Sequence, residues 1–364
     1  MKVVVRADSG VAMGVGHVMR CLTLLEYLQS KCISLDAIFV CRDHRGNLIE
    51  FINKKGYRVV TLPVDDQVLD NQALEQHARW LGGTLSEDSH ATRRTILQQW
   101  PEGADWLIVD HYGTDAEWHR IVRSNTKQLM VIDDLADRQY DCDLLLDQTF
   151  GETEARYKGL VPEVARVLAG AGFALLRDEF DLHKHDFEPA TSRRWPPRDL
   201  LVSLGGGDPD NVTGEVLDAL VSWRSELGKI TVIVGQANPH LNSLRAKASL
   251  LQAQILVGAE NMAQLMREHD LAIGAAGATS WERCAMGLPT AAVITAANQK
   301  TIISRLKATG AIVELIRPIS DSSMKAELLP WMTDREAYEG AVSAAISICD
   351  GRGALRTSEV MLTP

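Results

Sequence analysis

The sequence predicts an α/β protein of two successive doubly wound domains, and three observations carry that expectation. Short runs rich in Val, Ile and Leu alternate with longer segments of helical period, the pattern of parallel strands joined by crossover helices. The alternation stops at a polar segment, residues 181–198, and then begins again. Several apolar runs end in loops of glycine and other small residues, and such strand-end loops are where open α/β sheets hold ligands.

In the first half the expected strands are 2–6, 37–40, 58–62, 106–110, 129–133 and 144–147. Between the first two, Val18, Cys21, Leu22, Leu25 and Leu28 recur at helical spacing and make one apolar face. Residues 66–104 are polar and read as a helical insertion, in which Thr84-x-x-Glu87 forms a capping box for a helix through Thr95 and Ile96. The stretch 181–198 is rich in His, Arg and Pro and has no sustained period, so it reads as the junction. The domains are then 1–185 and 199–364, with a linker over 186–198. Beyond it, strands are expected at 200–204, 230–234, 255–257, 271–274, 290–294 and 312–315. Two units of similar size imply two Rossmann-like domains facing a cleft.

With 364 residues, 46% of them hydrophobic and 24% charged, the chain can bury a core in each domain. Its 48 acidic and 38 basic side chains, a net charge of −10, argue against a broad nucleic-acid footprint or a basic membrane-docking face. Six cysteines, at 21, 32, 41, 142, 284 and 349, form no C-x-x-C pair, which suits a reducing cytoplasm better than a disulfide framework. The first residues lack the apolar core of a signal peptide, and no run approaches the roughly 18 apolar residues of a membrane span.

The first strand-end loop, Asp8 to His17, carries Gly14-x-Gly16 and sets an imidazole at the mouth of the first helix. Glycines there let backbone approach a ligand, and a helix N-terminus favours negative charge; the alternative is a tight turn with a capping histidine. Asp110-His111-Tyr112-Gly113 follows the strand 106–110, so its polar side chains emerge at a strand end. They serve either a ligand or their own backbone. Asp133-Asp134-Leu135-Ala136-Asp137 offers three carboxylates, which fit helix caps better than a magnesium site. In the second half, Ser203 to Asn211 again places three glycines between strand and helix. The run Ala272 to Arg283 ends a strand in small residues and starts a helix near Thr279, with Glu282 one turn in. That arrangement suits a diphosphate at the helix N-terminus and ribose hydroxyls on the carboxylate, although Glu282 could equally serve the helix dipole.

Taken in order, Arg6-Ala7-Asp8, Gly14-x-Gly16-His17-x-x-Arg20-Cys21-Leu22, Val109-Asp110-His111-Tyr112, Ile132-Asp133-Asp134 and Cys142-Asp143-Leu144-Leu145 resemble a known family. Tyr157-x-Gly159-Leu160-Val161-Pro162, Ala174-Leu175-Leu176-Arg177-x-Glu179-Phe180, Ser203-Leu204-Gly205-Gly206 and Trp281-Glu282-Arg283 extend the likeness over most of the chain. The family is that of the UDP-2,4-diacetamido-2,4,6-trideoxy-β-L-altropyranose hydrolases of pseudaminic acid biosynthesis. The resemblance implies a glycosyltransferase-B-like architecture, similar to that of the N-acetylglucosaminyltransferase that makes lipid II. It also implies a metal-independent bacterial hydrolase without a cofactor, whose partner is a small UDP-sugar. By the same likeness His17 matches the base that activates water, Tyr112 an active-site tyrosine near the sugar, Glu282 the acid on the uridine ribose and Asn298 a substrate contact. The expected binding set is completed by Gly14, Gly16, Arg20, Asp110, Gly205, Gly206, Gly277, Ala278, Thr279, Ser280 and Gln299.

One departure is Gly274-Ala275-Ala276-Gly277-Ala278, where family members often read Gly-Ala-Gly-Gly-Ser/Thr. The missing hydroxyl at 278 removes a phosphate hydrogen bond worth about 1 kcal/mol, which Thr279 or Ser280 could replace. The 66–104 segment is absent from the shortest family members. The resemblance implies water attack at C1 with His17 as base, UDP leaving towards the Thr279 loop, and inversion; imidazole suits the task because it titrates near neutrality. Two alternatives stand beside it: a glycosyltransferase with an alcohol acceptor, and a non-catalytic nucleotide-sugar binding protein. A lipid-acceptor transferase should carry an apolar, basic patch near Gly14, where Val11-Ala12-Met13 is the only local apolar stretch. A monomer is compatible with the sequence.

Overall fold

The computed structural model describes residues 1–69, 76–184, 187–189, 193–236, 238–296 and 299–363. The chain forms two compact units, Met1–Leu175 together with Gly353–Pro364, and Leu176–Arg352. Each is built on a parallel sheet.

In the first unit β1 (Lys2–Ala7), β2 (Asp36–Arg42), β3 (Arg58–Leu62), β4 (Ala104–Asp110), β5 (Thr126–Ile132), β6 (Leu144–Asp147) and β7 (Arg166–Ala169) lie in the order β3-β2-β1-β4-β5-β6-β7. Side chains alternate between two cores. Val3 and Val5 pack with Val18, Cys21, Leu25 and Leu28 of the helix Gly16–Lys31. Val4 packs on the other face with Ile96 and Trp118. Burial on both faces is why these strands read as unbroken apolar runs. β7 was not expected: four residues long and at the sheet edge, it buries only Leu168 fully, so no apolar run marks it.

The segment expected as an insertion divides in two. Helices Asp66–Leu69 and Gln76–Trp80 are additions to the sheet frame, whereas Leu85–Gln99 is the crossover that carries β3 into β4. Its start is the expected capping box, with Thr84 Oγ1 accepting from Glu87 N at 3.2 Å and Glu87 accepting from Thr84 N. The helix looked like an insertion because the face it buries is largely polar: Asp88, Ser89, Thr92 and Thr95 beside Ile96.

In the second unit β8 (Leu200–Ser203), β9 (Ile230–Val234), β10 (Gln254–Val257), β11 (Leu271–Ala275), β12 (Thr290–Val293) and β13 (Ile312–Leu315) take the order β10-β9-β8-β11-β12-β13. In both sheets the first strand is flanked by the second and the fourth, so each has a switch point there, β1/β4 and β8/β11.

The division differs from the expected domain boundaries at both ends of the second domain. The helix Gly353–Leu362 packs against Gly16–Lys31 and contributes Ala354 and Met361 to the first core. Gly353 permits this, since a Cβ there would lie 2.3 Å from Ala174 O. The expected linker 186–198 is also tied down where it is described: Arg193 donates to Met286 O at 2.5 Å, Gly287 O at 2.6 Å and Met266 O at 3.2 Å, all in the second unit.

Candidate active site

At the β1/β4 switch point, the loop after β1 and the end of β4 bring His17, Arg20, Asp110 and Tyr112 together. Gly14, at φ +79°, turns the chain into the helix that begins at Gly16, and a Cβ on either glycine would meet nothing within 4 Å. The backbone there is open to a ligand. One turn later Arg20 shares the helix face with His17. Asp110, the last residue of β4, is fully buried and faces both.

His17 Nδ1 lies 2.6 Å from Asp110 Oδ1, while Arg20 donates through Nε to Oδ2 at 2.5 Å and through Nη2 to Oδ1 at 2.6 Å. Burial acts to raise the Asp110 carboxyl, but Arg20 and then His17 outweigh it and hold the group well below the carboxylate range. An ionised Asp110 requires His17 Nδ1 to be the donor. In the neutral ring that leaves the lone pair on Nε2, the tautomer a general base needs. No hydrogen bond among the described residues uses that nitrogen.

Tyr112 sits edge-on to His17, with ring centroids 4.8 Å apart, and donates to Asp134 Oδ1 at 2.6 Å. Burial and the Asp134 charge push its phenol well above the ordinary value, so it stays a hydrogen-bond donor and a ring surface. His111, its neighbour, has a different role. Its Nδ1 accepts from Gly113 N at 2.9 Å and its Nε2 lies 3.3 Å from Asp8 Oδ2; burial lowers its pKa, so it is a neutral structural ring. Asp133 accepts from Leu135 N and Ala136 N, closing its own loop.

Beneath the site lies a buried charge network that spacing alone did not reveal. Arg6 pairs with Asp8 at 2.7 Å and with Asp88 at 2.7 Å, and Asp88 also accepts from Arg42 Nη2 at 3.0 Å and Trp118 Nε1 at 3.0 Å. Desolvation makes each charge costly unless its partners remain. The Arg6-Ala7-Asp8 motif thus serves the platform under the β1 loop.

In the second unit a further strand-end cluster lies at β8/β11, where Gly274 pairs with Ser203 in register. Gly205 has φ +96°, and Gly206 packs so closely that a Cβ on Gly235 would lie 2.4 Å from its carbonyl oxygen. Of the two helix starts here, Val212–Leu220 is occupied: Asp208 accepts from Val212 N and Thr213 N, both at 2.8 Å. Thr279–Ala285, preceded by Gly277 and Ala278, has no side-chain cap. Arg283 braces that loop by donating to Ala275 O at 2.7 Å, Thr279 Oγ1 at 3.0 Å and Ser280 Oγ at 3.2 Å. Gly274 makes room for it, since a Cβ there would come within 2.6 Å of the guanidinium.

Glu282 is 17% exposed, and its Oε2 is buried with no hydrogen-bond partner among the described residues. Burial pushes its carboxyl up to about 7. Arg177 Nη2, 3.7 Å from Oε1, is the nearest cation; it also pairs with Glu179 at 2.9 Å. In the sequence Arg177 is visible only as part of a motif, because its partner is over a hundred residues away. Gln299 is used internally, accepting from Thr295 N at 2.9 Å. Asn298 lies outside the described residues.

No family model matches the chain. The chain is 25% identical over 315 residues to the UDP-2,4-diacetamido-2,4,6-trideoxy-beta-L-altropyranose hydrolase of Campylobacter jejuni, covering 86% of this chain and 99% of that one. It is 23% identical over 368 residues to the spore coat polysaccharide biosynthesis protein SpsG of Bacillus subtilis, covering 99% and 98%. Among solved structures, MurG of Acinetobacter baumannii superposes with a TM-score of 0.64 at 14% identity, covering 100% of this chain and 99% of that one. The UDP-GlcNAc 2-epimerase of Neisseria meningitidis bound to UDP-GlcNAc superposes at 0.60 and 13% identity over 100% of both chains. The fold is therefore glycosyltransferase-B-like. Among the described residues no helix is long and apolar enough to cross a membrane.

Proposed function

We propose that the protein hydrolyses UDP-2,4-diacetamido-2,4,6-trideoxy-β-L-altropyranose to UDP and the free sugar. The observation that carries this reading is the His17–Asp110–Arg20 cluster at the end of β4, in which Asp110 engages His17 Nδ1 and Nε2 has no hydrogen bond among the described residues. The likeness to the C. jejuni hydrolase over 86% of the chain supports the choice of substrate.

Water is activated by His17 Nε2 and attacks C1, the C1–O bond to the diphosphate breaks, and Asp110 stabilises the imidazolium that forms. The UDP oxygen leaves as an anion, so backbone amides at 277–279 can replace the strong general acid of an ordinary glycosidase. Glu282 accepts from the ribose hydroxyls; Asn298 and the Gln299 amide nitrogen, whose oxygen is held by Thr295, contribute further contacts; and attack opposite UDP inverts C1. The Gly205–Gly206 backbone and the Thr279 and Ser280 hydroxyls complete the diphosphate cradle. Tyr112 lines the sugar side.

The test is UDP release from this substrate without acceptor or added metal, with UDP-N-acetylglucosamine as control. Release confined to the diacetamido sugar, and reduced about 100-fold or more in His17→Ala, is expected. Tight binding without release overturns the reaction and favours an acceptor-dependent transferase or a binding protein.

A further inference from the structure

We propose that the added helix Gln76–Trp80 builds a pocket for an acylamino substituent of the sugar, with His77 as its wall; this rests on the UDP-sugar reading above. The helix brings His77 to 5.1 Å from the Tyr112 ring, centroid to centroid, and Trp80 backs His77 at 4.8 Å. Tyr112 is in turn 4.8 Å from His17. The rings therefore form a continuous row from His17 through Tyr112 to His77 and Trp80.

The close approach is built into the sequence. Gly113 ends the Asp110–Gly113 loop, and a Cβ there would lie 2.8 Å from His77 O. Next to these rings is a cavity of about 450 Å³, within the range of small-molecule sites, lined by His77, Ala78, Leu85, Tyr112, Asp137 and Arg138 among others. Its chemistry is mixed in a particular way. Leu85, Ala78 and the ring faces are apolar, Asp137 is a carboxylate acceptor, and Arg138, 2.7 Å from it, is a cationic donor.

An acetamido group uses all three: its methyl takes the apolar wall, its N–H the carboxylate and its carbonyl the guanidinium. A hydroxyl leaves the apolar wall unused, and an anionic substituent meets Asp137. Burial lowers the His77 pKa, which keeps its ring neutral and suited to the methyl.

The experiment measures Kd by calorimetry in a His17→Ala background, which prevents turnover, for UDP, UDP-glucose, UDP-N-acetylglucosamine and the diacetamido substrate. Adding His77→Ala should weaken the two acetamido ligands about tenfold and leave UDP and UDP-glucose unchanged. Ala78→Phe, which fills the cavity from a half-buried helix position, should do the same. If either folded variant weakens all four ligands alike, or none, the pocket does not read the acylamino group and the inference fails. If the wild type frees no UDP but His77 still discriminates acetamido from hydroxyl ligands, the hydrolase reading fails and the pocket stands.

Discussion

In the proposed reaction Asp110 has no need to touch the substrate, yet the state of the His17 base depends on it. Asp110→Asn places an amide where an ionised acceptor held Nδ1–H, so the imidazole can turn its proton to the Nε2 side. Steady-state kinetics should show kcat reduced by at least about 100-fold, with KM changed much less. An unchanged kcat would mean that Nε2 is not the base. Glu282 yields a second prediction, in which binding and stability move in opposite directions. Its folded pKa of about 7 lies above the ordinary carboxyl value of 4.5, so its contribution to stability is full below that value and is lost as pH rises towards 7. Glu282→Gln should therefore stabilise the protein at pH 8, by about 3 kcal/mol in denaturant unfolding, and much less at pH 5. The same variant should weaken UDP and remove the part of its affinity gained as Glu282 ionises. A Gln variant no more stable at pH 8 than at pH 5 would contradict the burial argument. At this scale His17, Asp110 and Glu282 were legible because each follows a strand-end signal. Arg177 and Asp88 were not, because only the fold brings them to Glu282 and Arg6.

Among the elements, the helix Leu85–Gln99 shows why a polar segment can be structural. Asp88 on its buried face balances Arg6 and Arg42 and accepts from Trp118. Asp88→Ala leaves the buried Arg42 guanidinium without its carboxylate and Arg6 with Asp8 alone, and should cost about 3–5 kcal/mol in unfolding. Thr84→Ala removes one side of the capping box at the same helix and should cost only about 1 kcal/mol. If the two costs were equal, the network would not be what anchors this helix. The twelve strands anticipated from apolar runs all form; burial on both faces accounts for the central ones, whereas the edge strands β3 and β10 are largely exposed and were marked by their β-branched and leucine-rich runs. β7 escaped notice because its four residues at the sheet edge, Arg166–Ala169, include no such run. The hydrophobic pattern was silent on Leu85–Gln99 for a related reason: its packing is ionic and hydrogen-bonded rather than aliphatic.

For the molecule as a whole, the chain returns to its first unit after completing the second. Truncation after Arg352 removes Ala354 and Met361 from the first core and uncovers the helix Gly16–Lys31 that carries His17. Unfolding should show the first unit destabilised by at least about 3 kcal/mol, with hydrolysis lost at temperatures the full chain tolerates. An unaffected truncation would show that the last helix is dispensable. The return was hidden in the sequence because Gly353–Leu362 has the composition of any amphipathic helix, and its partner lies more than three hundred residues earlier. Attack of water at C1 under the control of His17 is checked most directly by running the proposed reaction in ¹⁸O-water and determining the mass of the released UDP. Unlabelled UDP is expected, formed without any acceptor and lost in His17→Ala. Label in the UDP would place the attack at phosphorus, and release that requires an alcohol would make the protein a transferase.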